Sequence, residues 1–246
     1  MSARRFFVEG TRACSDAVTF EGSDAHKIAR VLRLRSGDII EVIDSTGTAF
    51  SAAIESITPQ VVAVLNGVLA SDTLQSSMRV SIAQGIPKSA KMDFVVEKLV
   101  ELGAAAILPF ESERSVVTGS GSSKIERWRR LAKSAAQQCG RTDVPAISDP
   151  VPIAELIARF AHYDRVLFAW ELSAQVAMHD ALPNALASAQ NVLAVIGPEG
   201  GFSHAEAQAA CDAGAVLISL GRRILRTETA GMALLSVIQY LAEGGL

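Results

Sequence analysis

From Met78 onward the sequence alternates short apolar runs with stretches whose apolar residues recur at helical spacing, and this rhythm limits the fold more than any other feature. MRVSIAQGI, AAILPF, RVLFAW, NVLAVI and AVLISL read as strands. Between the first two, Met92, Val95, Val96, Leu99 and Leu102 repeat at three- and four-residue intervals, with Gly103 as a stop. Ser123-x-x-Glu126 and Ser203-x-x-Glu206 form capping boxes before KIERWRRLAKSAAQQCG and HAEAQAACDAG. IAELIARFA and TAGMALLSVIQYLA complete the helices. A helix between two strands returns the chain to the end where it started, so the strands run parallel. The expected fold is α/β.

The first third has a different rhythm. DIIEVID, TAFSAAIESI and QVVAVLNGVL are strand-like runs separated by turn signals at Ser45-Thr46-Gly47 and Thr58-Pro59. Short strands at close spacing predict a small β-barrel or sandwich. A helical stretch precedes them, Ala25 to Leu34. Residues 70–77, ASDTLQSS, are polar and without pattern, and predict a linker. The expected boundary lies between residues 72 and 73, giving domains 1–72 and 73–246.

The 246 residues are 49% apolar and 20% charged, the balance of a soluble protein. No apolar run reaches the roughly 18 to 20 residues of a membrane helix. MSARRFFVEG lacks the apolar stretch of a secretory signal, so a cytoplasmic location is expected. Cys14, Cys139 and Cys211 are far apart, and His26, His162, His179 and His204 are scattered, so no metal site is expected. The net charge is −3. Any nucleic-acid partner must therefore be recognised by local basic clusters.

Ligands of open parallel sheets bind beyond the carboxyl ends of the strands. Three such ends carry unusual residues. The first is Phe168-Ala169-Trp170-Glu171. The second is Ile196-Gly197-Pro198-Glu199-Gly200-Gly201, where a continuous apolar strand stops in a turn with three glycines. Such a turn either lets a ligand approach the peptide groups or uses glycine for shape alone. The third is Leu220-Gly221-Arg222-Arg223-Ile224-Leu225-Arg226-Thr227-Glu228-Thr229-Ala230, where arginines surround an apolar pair. It reads either as an apolar wall with a cationic reach or as a basic loop over a sheet end. Neither GxGxxG nor GxxxxGK[ST] occurs, so a dinucleotide or ATP site is not indicated.

Taken together, IGPEGGFSHAE and LISLGRRILRTETA closely resemble the RsmE family, the 16S ribosomal RNA uracil-N3 methyltransferases of the SPOUT superfamily. The resemblance continues upstream. His26 to Arg33 looks like the family's HxxRVLR stretch, and Gln84-Gly85 through Lys88, Lys91-Met92-Asp93 and Glu101-Leu102-Gly103 look like its KMD…ELG segment. Ser112-Glu113-Arg114 and Gln138-Cys139-Gly140-Arg141 also fit, so the match covers nearly the whole chain.

The resemblance implies a PUA-like β-barrel for RNA recognition, followed by a SPOUT α/β domain with a deep trefoil knot. It implies S-adenosylmethionine as cofactor, a homodimer, and as substrate one uridine of 16S rRNA, presented in the assembled small ribosomal subunit. Phe168, Ala169 and Glu171 would wall the cofactor, together with Ile196, Gly197, Glu199, Gly200 and Gly201. Leu220, Gly221, Ile224, Leu225 and Thr229 would complete the site. Arg226 is the expected catalytic residue. Its guanidinium would stabilise charge spreading onto O2 and O4 as the uracil N3 proton leaves, or would hold the target phosphate instead. Glu199, Glu171 and Glu228 are candidate bases, and solvent is a fourth.

At about 100° per residue, Ile28, Val31 and Leu32 share one helix face while Arg30 and Arg33 lie on the adjoining flank. That flank would suit phosphates, with Arg5, Lys88, Lys91, Arg114 and Arg141 extending it. A solvated helix face is the plainer reading. Two rival functions are a non-catalytic RNA-binding assembly factor on the same fold and a metabolic enzyme acting on a small nucleotide.

Overall fold

The computed structural model describes residues 4–69, 78–88, 91–115, 121–171 and 178–242. The expected linker at 70–77 lies outside them. Packing divides the chain into two units, Met1–Leu74 with Lys133–Val144, and Gln75–Ala132 with Pro145–Leu246. Residues 133–144 thus group with the N-terminal unit.

The first unit holds one five-stranded sheet. The three runs read as strands are β3 (Ile39–Ile43), β4 (Ala49–Ser56) and β5 (Val61–Val68), paired antiparallel in sequence. Two short strands join them, β1 (Arg5–Phe7) parallel to β3, and β2 (Ala17–Phe20) antiparallel to β5, in the order β1-β3-β4-β5-β2. The sheet curls as a half-barrel over an apolar core. Alternation drives this, since Ala52, Ile54, Ala63 and Leu65 face the core while their neighbours are less buried. Phe6 and Phe20, one from each edge strand, meet edge to face at 5.5 Å.

The helical stretch before β3 departs from the expectation. It begins at Gly22 as α1 (Gly22–His26) and continues as a π-turn over Lys27–Val31. The Leu32 N–H reaches back five residues to the Lys27 carbonyl at 2.8 Å. The wider turn shifts the facing of side chains away from the 100° pattern. Ile28 and Leu34 are buried, Leu32 is half-buried, and Val31 is 62% exposed rather than on the buried face.

The second unit is an α/β layer structure built on a parallel sheet. Its strands are β6 (Arg79–Gly85), β7 (Ala106–Glu111), β8 (Ala146–Ile147), β9 (Val151–Pro152), β10 (Arg165–Ala169), β11 (Asn191–Ile196) and β12 (Val216–Ile218). The order is β12-β10-β11-β6-β7-β8, with β9 also on β7, and every pairing is parallel. The helices are α2 (Lys91–Glu101), α3 (Ser122–Cys139), α4 (Ile153–Ala158), α5 (Met178–Leu186), α6 (His204–Asp212) and α7 (Thr227–Ala242). On one side α4 and α6 cover a core in which Phe168 and Phe202 lie 4.1 Å apart, centroid to centroid, beside Phe110. On the other, α2 and α7 pack together, and α7 lies on β6 and β11. The strands are covered on both faces, which is why they are nearly all apolar.

The Ser203–Glu206 capping box is present in full. The Ser123–Glu126 box is not the start of α3, because the helix already begins at Ser122, and the Glu126 carboxylate instead pairs with Arg129 at 2.8 Å. Among the described residues no helix is long and apolar enough to cross a membrane.

Candidate active site

The carboxyl ends of β10, β11 and β12 open into one cavity of about 590 Å³. Ala169, Trp170 and Glu171 come from the end of β10, residues 196–202 from the turn after β11, and residues 219–228 from the loop between β12 and α7. The three segments singled out in the sequence are therefore neighbours in space. Parallel strands all release their chain at the same end, so the order β12-β10-β11 places the three loops side by side.

Within this wall the expected residues Ala169, Glu171, Ile196, Gly197, Glu199, Gly200, Gly201, Leu220, Gly221, Ile224, Leu225 and Arg226 all line the space. Phe168 does not. Its side chain is buried in the core against Phe202, and Trp170, just past the end of β10, packs against the same core and borders the cavity. Thr229 is also outside the lining and exposed, because the first turn of α7 carries it away. Thr227 and Lys91 line the cavity without having been assigned there.

The glycines of the β11 turn are required by the protein's own packing. A Cβ on Gly197 would lie 3.0 Å from the Phe202 ring, and one on Gly200 would lie 2.9 Å from both Cβ and O of Arg114. Gly201 has φ +64°, and a Cβ there would come within 2.7 Å of the Glu171 carboxylate. Of the two readings left open for this turn, shape thus accounts for each glycine, and the same close packing leaves the peptide groups at the cavity wall.

Glu199 is anchored rather than free. Its carboxylate accepts from the Lys88 backbone N–H at 3.1 Å and from Lys91 Nζ at 3.0 Å. Burial works to raise its pKa, but the Lys91 ammonium and the backbone donors together outweigh this and hold it below its ordinary value of 4.5. Lys91 is raised in turn, chiefly by its hydrogen bond to Glu199. The same ammonium lies 3.5 Å from Glu228 Oε2, which is buried without a hydrogen bond. Trp170 Nε1 is a second buried polar atom lacking a partner among the described residues. Arg226 is exposed at the cavity, and its backbone carbonyl accepts from the N–H groups of Thr229 and Ala230 at the start of α7.

The basic residues named for RNA divide into two groups. Arg30 and Arg33 are exposed. Arg5 is only 16% exposed at its side chain, pairs with Glu41 at 2.7 Å and donates to the carbonyls of Gly140 and Arg141. Arg141 pairs with Asp143 at 2.8 Å. Arg114 is exposed and reaches the Gly200 carbonyl at 3.5 Å, while Lys91 is held at the cavity and Lys88 is exposed.

The cavity suits an adenosyl-type ligand. Its volume lies within the range of small-molecule sites, and Ile196, Leu220 and Leu225 supply apolar wall. Parallel sheet, strand-end cavity and flanking basic loop define an RNA-methyltransferase type of unit, and residues 74–239 match the model of the RNA methyltransferase domain family. Residues 20–64 match an RNA methyltransferase PUA domain. The chain belongs to this RNA methyltransferase family. It is 34% identical to ribosomal RNA small subunit methyltransferase E of Bacillus subtilis, over 98% of this chain and 97% of the relative. The enzyme of the same description from Synechocystis is 31% identical, covering 98% of this chain and 78% of the relative. A crystal structure of ribosomal RNA small subunit methyltransferase E from Neisseria gonorrhoeae, bound to S-adenosyl methionine, superposes with TM-score 0.87 at 28% identity, over 97% of this chain and 98% of that one.

Proposed function

We propose that this chain transfers a methyl group from S-adenosylmethionine to N3 of uridine 1498 in the 16S RNA of the small ribosomal subunit. The observation that carries the reading is the convergence of the three strand-end loops on one cavity with Arg226 beside it, in a chain whose relatives along its full length are small-subunit RNA methyltransferases. When bound, the cofactor supplies an electrophilic methyl carbon on a sulfonium.

The chain's own residues do the rest. Ile196, Leu220 and Leu225 provide apolar surface for the adenine, and the Gly197–Gly201 turn provides peptide groups. Arg226 faces O2 or O4 of the uracil and stabilises the charge that develops as the N3 proton leaves, which favours the transition state over the neutral base. Glu199 is a poor base, because Lys91 and the Lys88 N–H hold it as a carboxylate of low basicity. Its part is to fix the turn. Of the other carboxylates, Glu228 shares the Lys91 ammonium and Glu171 is exposed beside Gly201, so solvent is the acceptor this arrangement leaves open for the proton.

Residues 1–72 form the RNA-recognition domain and 73–246 the methyltransferase domain, with Arg30 and Arg33 on phosphates. The active species is a cytoplasmic homodimer that works on the assembled small subunit, and the loops after β11 and β12 form a trefoil knot. Deleting the gene and mapping modified nucleotides in 16S RNA tests the reading. Loss of one N3-methyluridine is the expected result. An unchanged map would move the chain to the assembly-factor class.

A further inference from the structure

The end of β6 has no part in that scheme, yet it carries a residue that an apolar strand would not choose. Gln84 is fully buried and lies outside the cavity lining. Its Nε2 donates to the Gly85 carbonyl at 3.0 Å and to Thr227 Oγ1 at 2.8 Å. The Gly85 carbonyl can only accept, so the amide nitrogen must be the atom on that side. Thr227 is buried as well, and its hydroxyl, already accepting from Gln84, has one proton to give. That proton goes to the Gly197 carbonyl at 2.5 Å. A directed chain therefore runs Gln84 to Thr227 to Gly197. It starts on a strand between β11 and β7, passes through the first residue of α7 and ends on the first residue of the glycine turn.

The two ends of this chain matter. Thr227 directly follows Arg226, and Gly197 opens the turn that carries Glu199. A buried amide is an expensive way to fill a core, since a leucine there would leave nothing unsatisfied. Gln84 Oε1 indeed has no partner among the described residues. Stability alone does not explain such a residue.

We propose that Gln84 and Thr227 are positioning residues that lock the β11 turn and the Arg226 loop into one relative geometry before ligand arrives. This rests on the cofactor reading given above. Neither residue touches the reacting atoms. Their hydrogen bonds set where the Gly197 peptide and the Arg226 backbone stand, and a fully satisfied hydroxyl in a buried site has little freedom to relax.

The experiment is calorimetric titration of S-adenosylmethionine into the full-length wild type, Thr227→Val, Thr227→Ser, Gln84→Met and the Val/Met double variant, with single-turnover methylation of small subunits at saturating cofactor. Thr227→Val and Gln84→Met are each expected to weaken binding by roughly tenfold or more and to slow the single turnover, since a misplaced site loses rate steeply. Thr227→Ser keeps the hydroxyl and is expected to stay within about twofold of wild type. The double variant is expected to be no worse than the weaker single one, because both break the same chain. Wild-type binding and rate in Thr227→Val, or additive losses in the double variant, would overturn the proposal. Should Gln84→Met not fold, the nearly isosteric Thr227→Val and the hydroxyl-keeping Thr227→Ser decide it. A wild-type protein that fails to bind the cofactor would sink the cofactor reading instead.

Discussion

Gly85 lies so close to Pro198 that a Cβ on it would stand 2.5 Å from the Pro198 nitrogen and 2.6 Å from its Cδ. The end of β6 thus supports the glycine turn through direct backbone packing as well as through the hydrogen bonds of Gln84. Gly85→Ala must push the turn outward, since backbone cannot yield as a side-chain tip can. Overpacking of this kind costs about 1–3 kcal/mol. Cofactor affinity is expected to fall by roughly tenfold or more, at 1.4 kcal/mol per factor of ten, and calorimetry reads it directly.

Arg226 is exposed and lines the cavity, and in the proposed mechanism its guanidinium meets the substrate. Arg226→Ala is expected to lower kcat by about 100- to 1,000-fold, the usual effect of removing one electrostatic stabiliser. Cofactor affinity should change little. Near-normal turnover at saturating RNA would leave Arg226 with at most a phosphate-holding role.

The Lys91–Glu199 pair has a pH window with two edges. Glu199 is held below its ordinary value of 4.5, so its contribution to stability is present above that value and is lost as pH falls through the lower folded value. Lys91 is held above 10.5, so its contribution is present below 10.5 and is lost as pH rises through the folded value. Glu199→Gln should therefore flatten the acid limb of a stability-against-pH curve and lower the alkaline limb's dependence on Lys91. Thermal unfolding across the two ranges measures both. Lys91 is exposed enough that solvent screens the pair, so the effect on Tm is small and the effect on loop order is the better readout.

Three arginines assigned to RNA on sequence grounds, Arg30 and Arg33 on one side and Arg5 on the other, should separate by experiment. Arg30→Ala with Arg33→Ala is expected to weaken RNA binding and to reduce the slope of log affinity against log salt by about 0.7 to 0.9 per lost phosphate contact, with Tm unchanged. Arg5→Ala removes the ion pair to Glu41 and the contacts to the Gly140 and Arg141 carbonyls. Its main effect is expected on stability, about 1.5–3 kcal/mol for a charge-assisted hydrogen bond lost from a part-buried site. Denaturant unfolding beside a filter-binding salt series tells the two apart.

Much of the fold was legible because long periodic segments carry their own signal. VLAVI is apolar throughout because both faces of β11 are covered, and Ser203 with Glu206 announces α6 through donors that any helix start must satisfy. What escaped reading has local causes. RFF and AVTF are too short to show alternation, so β1 and β2 could be found only through their partners. The π-turn at Lys27–Val31 broke the 100° rule on which the facing of Val31 depended. In the site, the loops were evident from their glycines and arginines, but side-chain direction was not. Phe168 lies on β10 and is fully buried, while Trp170, just past the strand's last residue Ala169, packs on the same core and also borders the cavity. Gln84 gave one faint sign, an amide near the end of a largely buried strand, and its meaning required knowing that Thr227, 143 residues away, stands beside it.

The most direct measurement is to incubate the purified protein with methyl-labelled S-adenosylmethionine and small ribosomal subunits from a strain lacking the gene, then identify the labelled nucleoside by mass spectrometry. One N3-methyluridine per 16S RNA, at a single position, is the result expected. Label on a ribose oxygen or on another base, or no label in the presence of a properly folded protein, would contradict it.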